Sequence, residues 1–211
     1  MTETWAVILA AGEGKRMGMP KAVLELERGK SFLQALTSTF AKAGCEVLAV
    51  VGAGADEVRA HPTRAALVEN PDWQSGQFSS VKAGLKAALE EGAEAVLIHP
   101  VDVPMIRAST VKAVLAALDG HDGAVPQYEG AAGHPLALTR AAAQRVLAMA
   151  AVPHLEAAQA QLDVARVVTR DPAVLVNLNT PEIYERVLGV APRMAPRKKR
   201  RTARSAADNP R

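Results

Sequence analysis

The sequence predicts an α/β protein with a doubly wound, mostly parallel, Rossmann-like sheet in three layers, α/β/α. Short β-branched runs alternate along the chain with Ala- and Leu-rich stretches of helical character. The first run, residues 5–11, is apolar throughout and ends in a glycine-rich loop, as expected for a parallel strand buried on both faces. With 211 residues, 49% of them hydrophobic, the chain can build one domain with a sizeable core. Ligands of such sheets bind at the carboxyl ends of the strands.

The individual elements follow from local patterns. Ser31 is expected to cap the first helix and Gly44 to end it. Ser79 and Ser80 are expected to open a helix that runs to residue 91. Strands are predicted at 5–11, 46–51, 66–68, 95–99, 124–126, 164–168 and 174–178. Further helices are predicted after residues 52–54, over 109–118, between 135 and 164, and from Pro181 onward.

Charge divides the chain into a domain at 1–189 and a basic tail at 190–211. The net charge is +3, yet eight Lys or Arg and a single acid lie from Arg193 onward, which leaves the body at −4. The tail is rich in Pro, Arg, Lys and Ala, cannot bury apolar area, and is expected to be disordered. Its cations could make weak contact with a polyanion, or could serve only as a solubilising or partner-docking segment.

Composition also limits where the protein works. No apolar run approaches the ~20 residues that span a bilayer. The first residues carry an acid where a signal peptide would carry positive charge, so we expect a cytoplasmic protein without membrane contact. The single cysteine, Cys45, excludes an internal disulfide and is expected to be a buried structural thiol.

The loop after the first strand, residues 9–21, points to phosphate binding. It lacks the spacing of a P-loop, because Arg16 follows Gly14-Lys15 and no hydroxyl is available for Mg²⁺. It fits a dinucleotide fingerprint poorly, since the third glycine, Gly18, comes one residue late. The alternatives are a solvated basic turn and a nest of backbone N–H groups around an anion, and the second accounts better for the glycines and cations.

A nest would use the glycines at 12 and 14 for close approach, with Arg16 and Lys21 neutralising a triphosphate and its departing pyrophosphate. We therefore expect nucleotide contacts along the end of the strand and the loop. These candidate residues are Leu9, Ala10, Ala11, Gly12, Gly14, Lys15, Arg16 and Lys21.

The same stretch resembles the glycine-rich signature of the MobA-like NTP transferases, which include molybdenum cofactor guanylyl- and cytidylyltransferases. The resemblance covers roughly residues 5 to 188, with further similar segments at 51–58, 70–85, 133–135 and 177–182. It implies a nucleotide-diphospho-sugar transferase-like fold. It also implies Mg²⁺-dependent transfer of a nucleoside monophosphate from a triphosphate to a small phosphorylated acceptor, with release of pyrophosphate.

The resemblance assigns roles to residues beyond the loop. Asp102 matches the carboxylate that holds Mg²⁺, and together with Arg16 and Lys21 it forms the predicted catalytic set. Asn177 and Asn179 are two apart on an extended segment, and either amide oxygen could complete the metal shell. Many relatives carry aspartate at these positions, so the second ligand is open, and Asn179 could instead cap the following helix.

Two further groups of candidates have simpler alternatives. Asn70, Ser79 and Ser80 are expected to contact the nucleotide, or else to serve only in a turn and a helix cap. Gly133 and His134 resemble an acceptor-binding segment, although a turn histidine is equally consistent.

The identity of the base and of the acceptor rests on few residues. Ala11, where guanylyl-type relatives tend to have glycine, and the segment 133–135 favour CTP and a molybdopterin-type acceptor. Residues 152–158 depart from a segment frequent in relatives, so the acceptor could differ. The rivals are a sugar- or polyol-phosphate nucleotidyltransferase, a non-catalytic nucleotide-binding or regulatory protein with a polyanion-binding tail, and an NAD(P) enzyme.

Overall fold

The structure, a computed structural model, describes residues 3–150 and 152–198. The central sheet contains β1 (Thr4–Ala10), β4 (Glu46–Val51), β5 (Ala66–Glu69), β6 (Ala95–Pro100), β7 (Gly123–Tyr128), β8 (Ala131–Ala132), β9 (Leu136–Thr139) and β10 (Val164–Val168). Seven of these strands are ordered β10-β7-β9-β6-β1-β4-β5, and the short β8 pairs with β7. A separate two-stranded sheet is formed by β2 (Glu25–Glu27) and β3 (Lys30–Ser31).

Strand directions confirm the predicted fold class. β1 runs parallel to both β4 and β6, and Leu9 of β1 lies opposite Val50 and Pro100. Apart from the short β8, β9 is the one antiparallel strand of the central sheet in the described residues, between β6 and β7. The sheet is thus mixed but mostly parallel, and the carboxyl ends of β1, β4 and β6 lie at one edge.

The helices flank this sheet. Their bounds are α1 (Phe32–Lys42), α2 (Ala55–Ala60), α3 (Gln77–Glu90), α4 (Ala108–Ala116), α5 (Arg140–Ala148), α6 (Leu155–Gln159) and α7 (Pro181–Leu188). Ser31 caps α1 as predicted, because its Oγ accepts from the Gln34 N–H while the Gln34 side chain accepts from the Ser31 N–H. In contrast, α3 begins before the two serines expected to open it. Over the residues that the structure describes, no helix has the length and apolarity to cross a membrane.

Alternate side chains of β1 serve two separate cores. Ala6 and Ile8 pack on one face, where helices α1, α4 and α7 lie, while Val7 and Leu9 pack on the other beneath α3 and α5. Burial on both faces is what the continuous apolar run predicted. Cys45 is also buried, as expected, and burial raises the pKa of its thiol to about 12.

The predicted strand at 174–178 is wrong. The segment Pro172–Leu175 is a short 3₁₀ helix, and the Asp171 carboxylate that precedes it accepts from the Ala173 N–H. After this turn, the Leu178 N–H donates to the Asp102 carbonyl at 2.8 Å rather than to a neighbouring strand. The β-branched residues of this run favour a strand. The Asp-Pro turn and the backbone hydrogen bond to Asp102 impose a different conformation.

The beginning of the predicted disordered tail differs from expectation. Residues 193–198, here called the C-terminal strap, run along the body instead of leaving it. The Ala195 N–H donates to the Val23 carbonyl at 2.8 Å, and the Arg193 guanidinium donates twice to the Glu25 carboxylate at 2.9 Å. Arg197 binds Glu57 in the same bidentate way at 3.0 and 2.6 Å. Backbone pairing and paired charges therefore hold a segment that has little apolar surface. The rest of the tail, residues 199–211, lies outside the described residues.

A histidine is buried at the end of β6. The His99 Nε2–H donates to the Val103 carbonyl at 2.8 Å, and within the described residues the Nδ1 atom has no hydrogen-bond partner. The ring packs edge-on against Phe40 with centroids 5.3 Å apart. Burial, with the nearby His134 as a smaller cause, lowers the pKa of His99 to about 3. This histidine is therefore a neutral core residue.

His99 gives a prediction for stability against pH. In the unfolded chain its pKa returns to about 6.5, so the unfolded state binds the extra proton as the pH falls below that value. Stability is thus lost with decreasing pH, at about 1.4 kcal/mol per pH unit from this group between roughly pH 6 and pH 4. Urea unfolding across this range should show a shallower decline for His99→Leu than for the wild type. The exposed His154, replaced by Asn, should keep the wild-type slope; an equal slope in His99→Leu would contradict the assignment.

Candidate functional site

A cavity of about 270 Å³ opens at the carboxyl ends of β1 and β6. This volume lies near the lower end of the ~300–1,000 Å³ typical of ligand pockets. The residues around it are Leu9, Ala10, Ala11, Gly12, Gly14, Lys15, Arg16, Lys21, Trp73, Gln77 and Val101. All eight residues expected from the strand end and the glycine loop are thus brought together around one space.

The glycine loop beside this cavity has unpaired backbone donors. The N–H groups of residues 12–16 make no hydrogen bond to any residue that the structure describes, whereas the Met17 and Gly18 N–H groups both donate to the Gly14 carbonyl at 2.9 Å. Gly14 has a φ of +68°, and a Cβ there would lie 2.2 Å from the Met19 carbonyl oxygen, so only glycine fits. A row of free N–H groups beside a tight turn is the arrangement that binds anions.

The loop geometry argues against the dinucleotide alternative. A dinucleotide fingerprint places its phosphates on the N-terminus of a helix that opens directly from the loop. Here residues 14–18 form a turn, and the chain then passes through the 3₁₀ segment Lys21–Val23 and the β2–β3 pair before α1 begins. The loop therefore does not open directly into a helix.

Three cations surround the loop in different environments. Lys15 is exposed and pairs with Glu13 at 3.0 Å. Arg16 is exposed and makes no ion pair with the described residues. Lys21 is mostly buried and faces the strand ends. Its ammonium donates to Asp102 Oδ2 at 2.7 Å and also to Asn179 Oδ1. Of the three, only Lys21 is held in place by partners from distant parts of the chain.

Asp102 is saturated with donors. Its side chain and that of Lys21 are each 17% exposed. When the Asn177 amide is assigned with its nitrogen toward Asp102, the orientation that satisfies its hydrogen bonds, this nitrogen donates to Oδ1 at 2.9 Å and to Oδ2 at 3.2 Å. Both carboxylate oxygens then have a partner. Two charged groups that are largely removed from water stabilise each other and would be costly to leave alone.

The two candidate amide ligands have different orientations. Asn179 turns its oxygen toward the Lys21 ammonium, as a cation ligand would, whereas Asn177 turns its nitrogen toward Asp102. Asn179, the residue considered as a possible helix cap, does not cap α7. The cap is Thr180, whose hydroxyl accepts from the Ile183 N–H. Carboxylate and amide oxygens are hard donors that suit Mg²⁺. No group of three His, Cys, Asp or Glu that could hold a metal occurs in residues 3–150 and 152–198, so a cation here would need further oxygens from a ligand.

Asn70, Ser79 and Ser80 bind one another rather than line the cavity. The Asn70 amide donates to the two hydroxyls at 2.9 and 3.0 Å, and its oxygen accepts from the Asp72 N–H at 3.0 Å. Asn70 and Ser80 are almost fully buried. These contacts fix the turn that carries Trp73. A role of the three residues in nucleotide binding stays a prediction, and they would act by positioning Trp73.

Trp73, Gln77 and Val101 belong to the cavity wall but were not predicted. A Cβ on Gly52 would come within 2.8 Å of Trp73, so the indole sits tightly against the turn after β4. The signal that could have found Trp73 is composition, since the chain has only two tryptophans and 3% aromatic residues. A tryptophan in a polar turn has a flat apolar surface that a nucleobase can use.

His134 belongs to the predicted acceptor segment and lies within electrostatic range of Asp102. The His134 N–H donates to the Val174 carbonyl at 3.1 Å, and its ring is 6.0 Å from that of His99. Burial lowers the pKa of His134, and the negative charge of Asp102 opposes this shift. Gly133 fits closely, since a Cβ there would lie 2.6 Å from the Val174 carbonyl oxygen. The structure thus brings the predicted acceptor segment next to the predicted metal carboxylate.

Comparison with known proteins relates this site to one family. The model of the MobA-like NTP transferase domain matches residues 6–174. Nicotine blue oxidoreductase of Paenarthrobacter nicotinovorans is 41% identical over 113 residues, which cover 52% of this chain and 54% of that protein. The probable molybdenum cofactor guanylyltransferase of Methanosarcina mazei is 28% identical over 88% of this chain and 90% of its own length. The molybdenum cofactor cytidylyltransferase of Escherichia coli is 24% identical over 84% and 92%.

The fold is shared with solved structures. Rv0371C of Mycobacterium tuberculosis H37Rv, in complex with manganese, superimposes with a TM-score of 0.69 at 22% identity over 89% of this chain and 99% of that one. This chain spans only about half the length of nicotine blue oxidoreductase. The guanylyl- and cytidylyltransferases, in contrast, align along nearly their whole length. Because the family match covers most of the sequence, the chain belongs to the MobA-like NTP transferases, a family of nucleotidyltransferase enzymes.

Proposed function

We propose that the protein transfers a nucleoside monophosphate from a triphosphate, with CTP as the favoured donor, to a small phosphorylated acceptor such as molybdopterin or molybdenum cofactor. One observation carries this proposal. The glycine loop, which has free N–H groups at residues 12–16, lines the same cavity as Lys21, and the Lys21 ammonium pairs with Asp102. A triphosphate in the loop would thus place its α-phosphate toward the charged pair.

The reaction needs no covalent enzyme intermediate. An oxygen of the acceptor phosphate attacks the α-phosphorus, and the bond from that phosphorus to the bridging oxygen breaks, so that pyrophosphate leaves. Arg16, Lys21 and the loop N–H groups neutralise the charge that moves onto the leaving oxygens. Because a phosphate acceptor is already ionised at neutral pH, no general base is required.

Magnesium is the proposed cofactor. Asp102 and the oxygen of Asn179 would hold it, with phosphate oxygens and water completing its shell, while Asn177 would orient the carboxylate. When bound, the ion would offset the negative charge of the reacting phosphates. The manganese complex of the structurally similar mycobacterial protein supports a divalent cation.

The choice of base and acceptor completes the proposal. Trp73 and Ala11 both line the cavity, and Trp73 offers a flat surface on which the base can stack. Gly133 and His134 lie where the acceptor would approach Asp102. A neutral His134 ring can donate or accept a hydrogen bond with the acceptor. Since guanylyl- and cytidylyltransferases are both similar to this chain, CTP rests on these residues alone. The sequence-based expectation of a cytoplasmic protein is part of the same proposal.

A second candidate is an oxidoreductase that binds a nicotinamide nucleotide in the same cavity. It is favoured by the 41% identity to nicotine blue oxidoreductase over 113 residues. Against it stands the loop, which does not lead into a helix. Consumption of NADH or NADPH, measured beside pyrophosphate release, separates the two candidates.

A groove at the opposite edge of the sheet favours weak polyanion contact over the alternative of a merely solubilising or partner-docking tail. It has a volume of about 930 Å³, and four cations and one acid, Glu46, line it. The cations are Lys30, Lys42, Arg64 and Lys198. None of them makes an ion pair with another described residue. The Lys198 N–H donates to the Ala60 carbonyl at 3.0 Å, so the last residue of the strap lies at this groove, and five more Lys or Arg follow it in the sequence.

The activity itself is the first prediction of this site. Pyrophosphate release should depend on Mg²⁺ and be fastest with CTP and molybdopterin, among CTP, GTP, UTP and ATP with molybdopterin, sugar-phosphate and polyol-phosphate acceptors. Asp102→Ala should lower the rate by roughly tenfold or more because it removes the proposed Mg²⁺ ligand, and Lys21→Ala should do the same because it removes a cation that neutralises phosphate charge. Release only with sugar or polyol phosphates would favour the near rival. Normal turnover in either variant would remove its assigned role.

Gly12 provides a test of the anion nest that is separate from folding. A Cβ at Gly12 would meet nothing within 4 Å, so the fold does not require glycine there. Gly12→Ala should leave the free energy of unfolding within about 0.5 kcal/mol of wild type. Its methyl group would obstruct a phosphate over the loop, so affinity for CTP with Mg²⁺ should fall roughly tenfold in calorimetry. Unchanged affinity would place the phosphates elsewhere.

The tail is tested by a truncation after Lys198, which keeps the strap. Fluorescence anisotropy with a short labelled DNA as the polyanion should show binding by the full chain that weakens steeply with salt. The truncated protein should bind roughly tenfold less well, since five cations are gone, while its melting temperature and pyrophosphate release should not change. Equal DNA binding by both proteins would rule out the tail as the contact.

A further inference from the structure

Lys21 occupies the oxygens that the proposed function assigns to the metal. Its ammonium donates to Asp102 Oδ2 at 2.7 Å and to Asn179 Oδ1. We propose that Lys21 and the divalent cation compete for these two oxygens, so that the cation binds tightly only after a triphosphate has drawn the ammonium away. This inference rests on the proposed function and adds an order of binding to it.

The two cations cannot share the position. Mg²⁺ binds its oxygen ligands at about 2.0–2.1 Å, so it would have to sit between Asp102 and Asn179, where the ammonium already lies. Like charges this close, in a site that is largely shielded from water, repel strongly. In the assigned orientation of Asn177 its amide nitrogen also donates to the second carboxylate oxygen at 2.9 Å, so that oxygen is occupied as well. Metal binding therefore requires the Lys21 side chain to leave.

The structure also provides a destination for Lys21. Its side chain lines the same cavity as Gly12, Gly14 and Arg16, so phosphate oxygens placed there would be within the range of its flexible stem. A triphosphate carries several negative charges against the single one of Asp102, which favours the exchange. The backbone can stay in place, since the Leu24 N–H donates to the Lys21 carbonyl at 3.1 Å and the strap holds Val23. Only one side chain has to move.

A direct consequence concerns metal affinity without nucleotide. The apparent affinity of the free protein is reduced by the fraction of molecules in which Lys21 blocks the site. Removal of the ammonium should abolish this penalty and leave Asp102 as a partly buried carboxylate with no neighbouring positive charge, which attracts a cation. A variant that loses turnover should thus gain metal affinity, which a merely structural role for Lys21 does not predict.

The experiment measures Mn²⁺ binding to the full-length protein without nucleotide, from the electron paramagnetic resonance signal of free Mn²⁺. Lys21→Met should bind Mn²⁺ roughly tenfold more tightly than wild type. Lys15→Met is the matched control, because it removes a positive charge from the same cavity but pairs with Glu13 and not with Asp102. That control should stay within about threefold of wild type. Lys21→Gln keeps a hydrogen-bond donor for Asp102 without the charge, and it should gain affinity in the same direction if Lys21→Met fails to fold.

The outcomes separate the inference from the proposed function. Equal Mn²⁺ affinity in wild type and both Lys21 variants, or an equal gain in Lys15→Met, overturns the competition while the transferase proposal stands. Loss of the gain in the double variant Lys21→Met with Asp102→Asn supports the competition, because it locates the ion at Asp102. No Mn²⁺ binding in any variant overturns the metal role of Asp102 and this inference with it. The measurement needs no turnover, so its result is valid even if none of the tested acceptors is a substrate.

Discussion

The contact between Lys21 and Asp102 is the interaction on which the site depends. The two residues are 81 positions apart, and Asn179, which shares the ammonium, is 158 positions from Lys21. Each of these two charges is mostly removed from water, so the loss of either partner would leave the other as an uncompensated buried charge. The contact thus ties together the loop after β1, the end of β6 and the segment that leads into α7.

Backbone hydrogen bonds hold these three segments in place independently of their side chains. The Val101 N–H donates to the Leu9 carbonyl at 3.1 Å, the Ala53 N–H to the Ala11 carbonyl at 3.2 Å, and the Leu178 N–H to Asp102. The strand ends are therefore joined to one another beyond the last regular pairs of the sheet. A site built on such a frame is rigid in its backbone, and its adaptable parts are the long side chains of the cations.

The C-terminal region holds the segment that follows Lys21. The Tyr184 hydroxyl donates to the Glu25 carbonyl, and the strap pairs with Val23 and Glu25 just after Lys21. Arg193, held in two bonds to Glu25, also lowers the pKa of that carboxyl. The segment that carries Lys21 is thus enclosed by the end of the chain, so its position depends on residues more than 150 positions away. Local sequence around Lys21 gives no indication of this dependence.

By itself the sequence determined the fold class, the first buried strand, the cap of α1 and the glycine loop that lines the cavity. These features depend on periodicity, capping and glycine conformation, which act over a few residues. It also indicated the identity of Asp102, through family resemblance. Only the tertiary structure decided that Asn179 and not Asn177 offers its oxygen, that Trp73 lines the cavity, and that the strap is ordered. It also replaced the strand at 174–178 with an Asp-Pro turn. The physical reason is that these outcomes depend on hydrogen bonds and charges between segments that meet only in the folded chain.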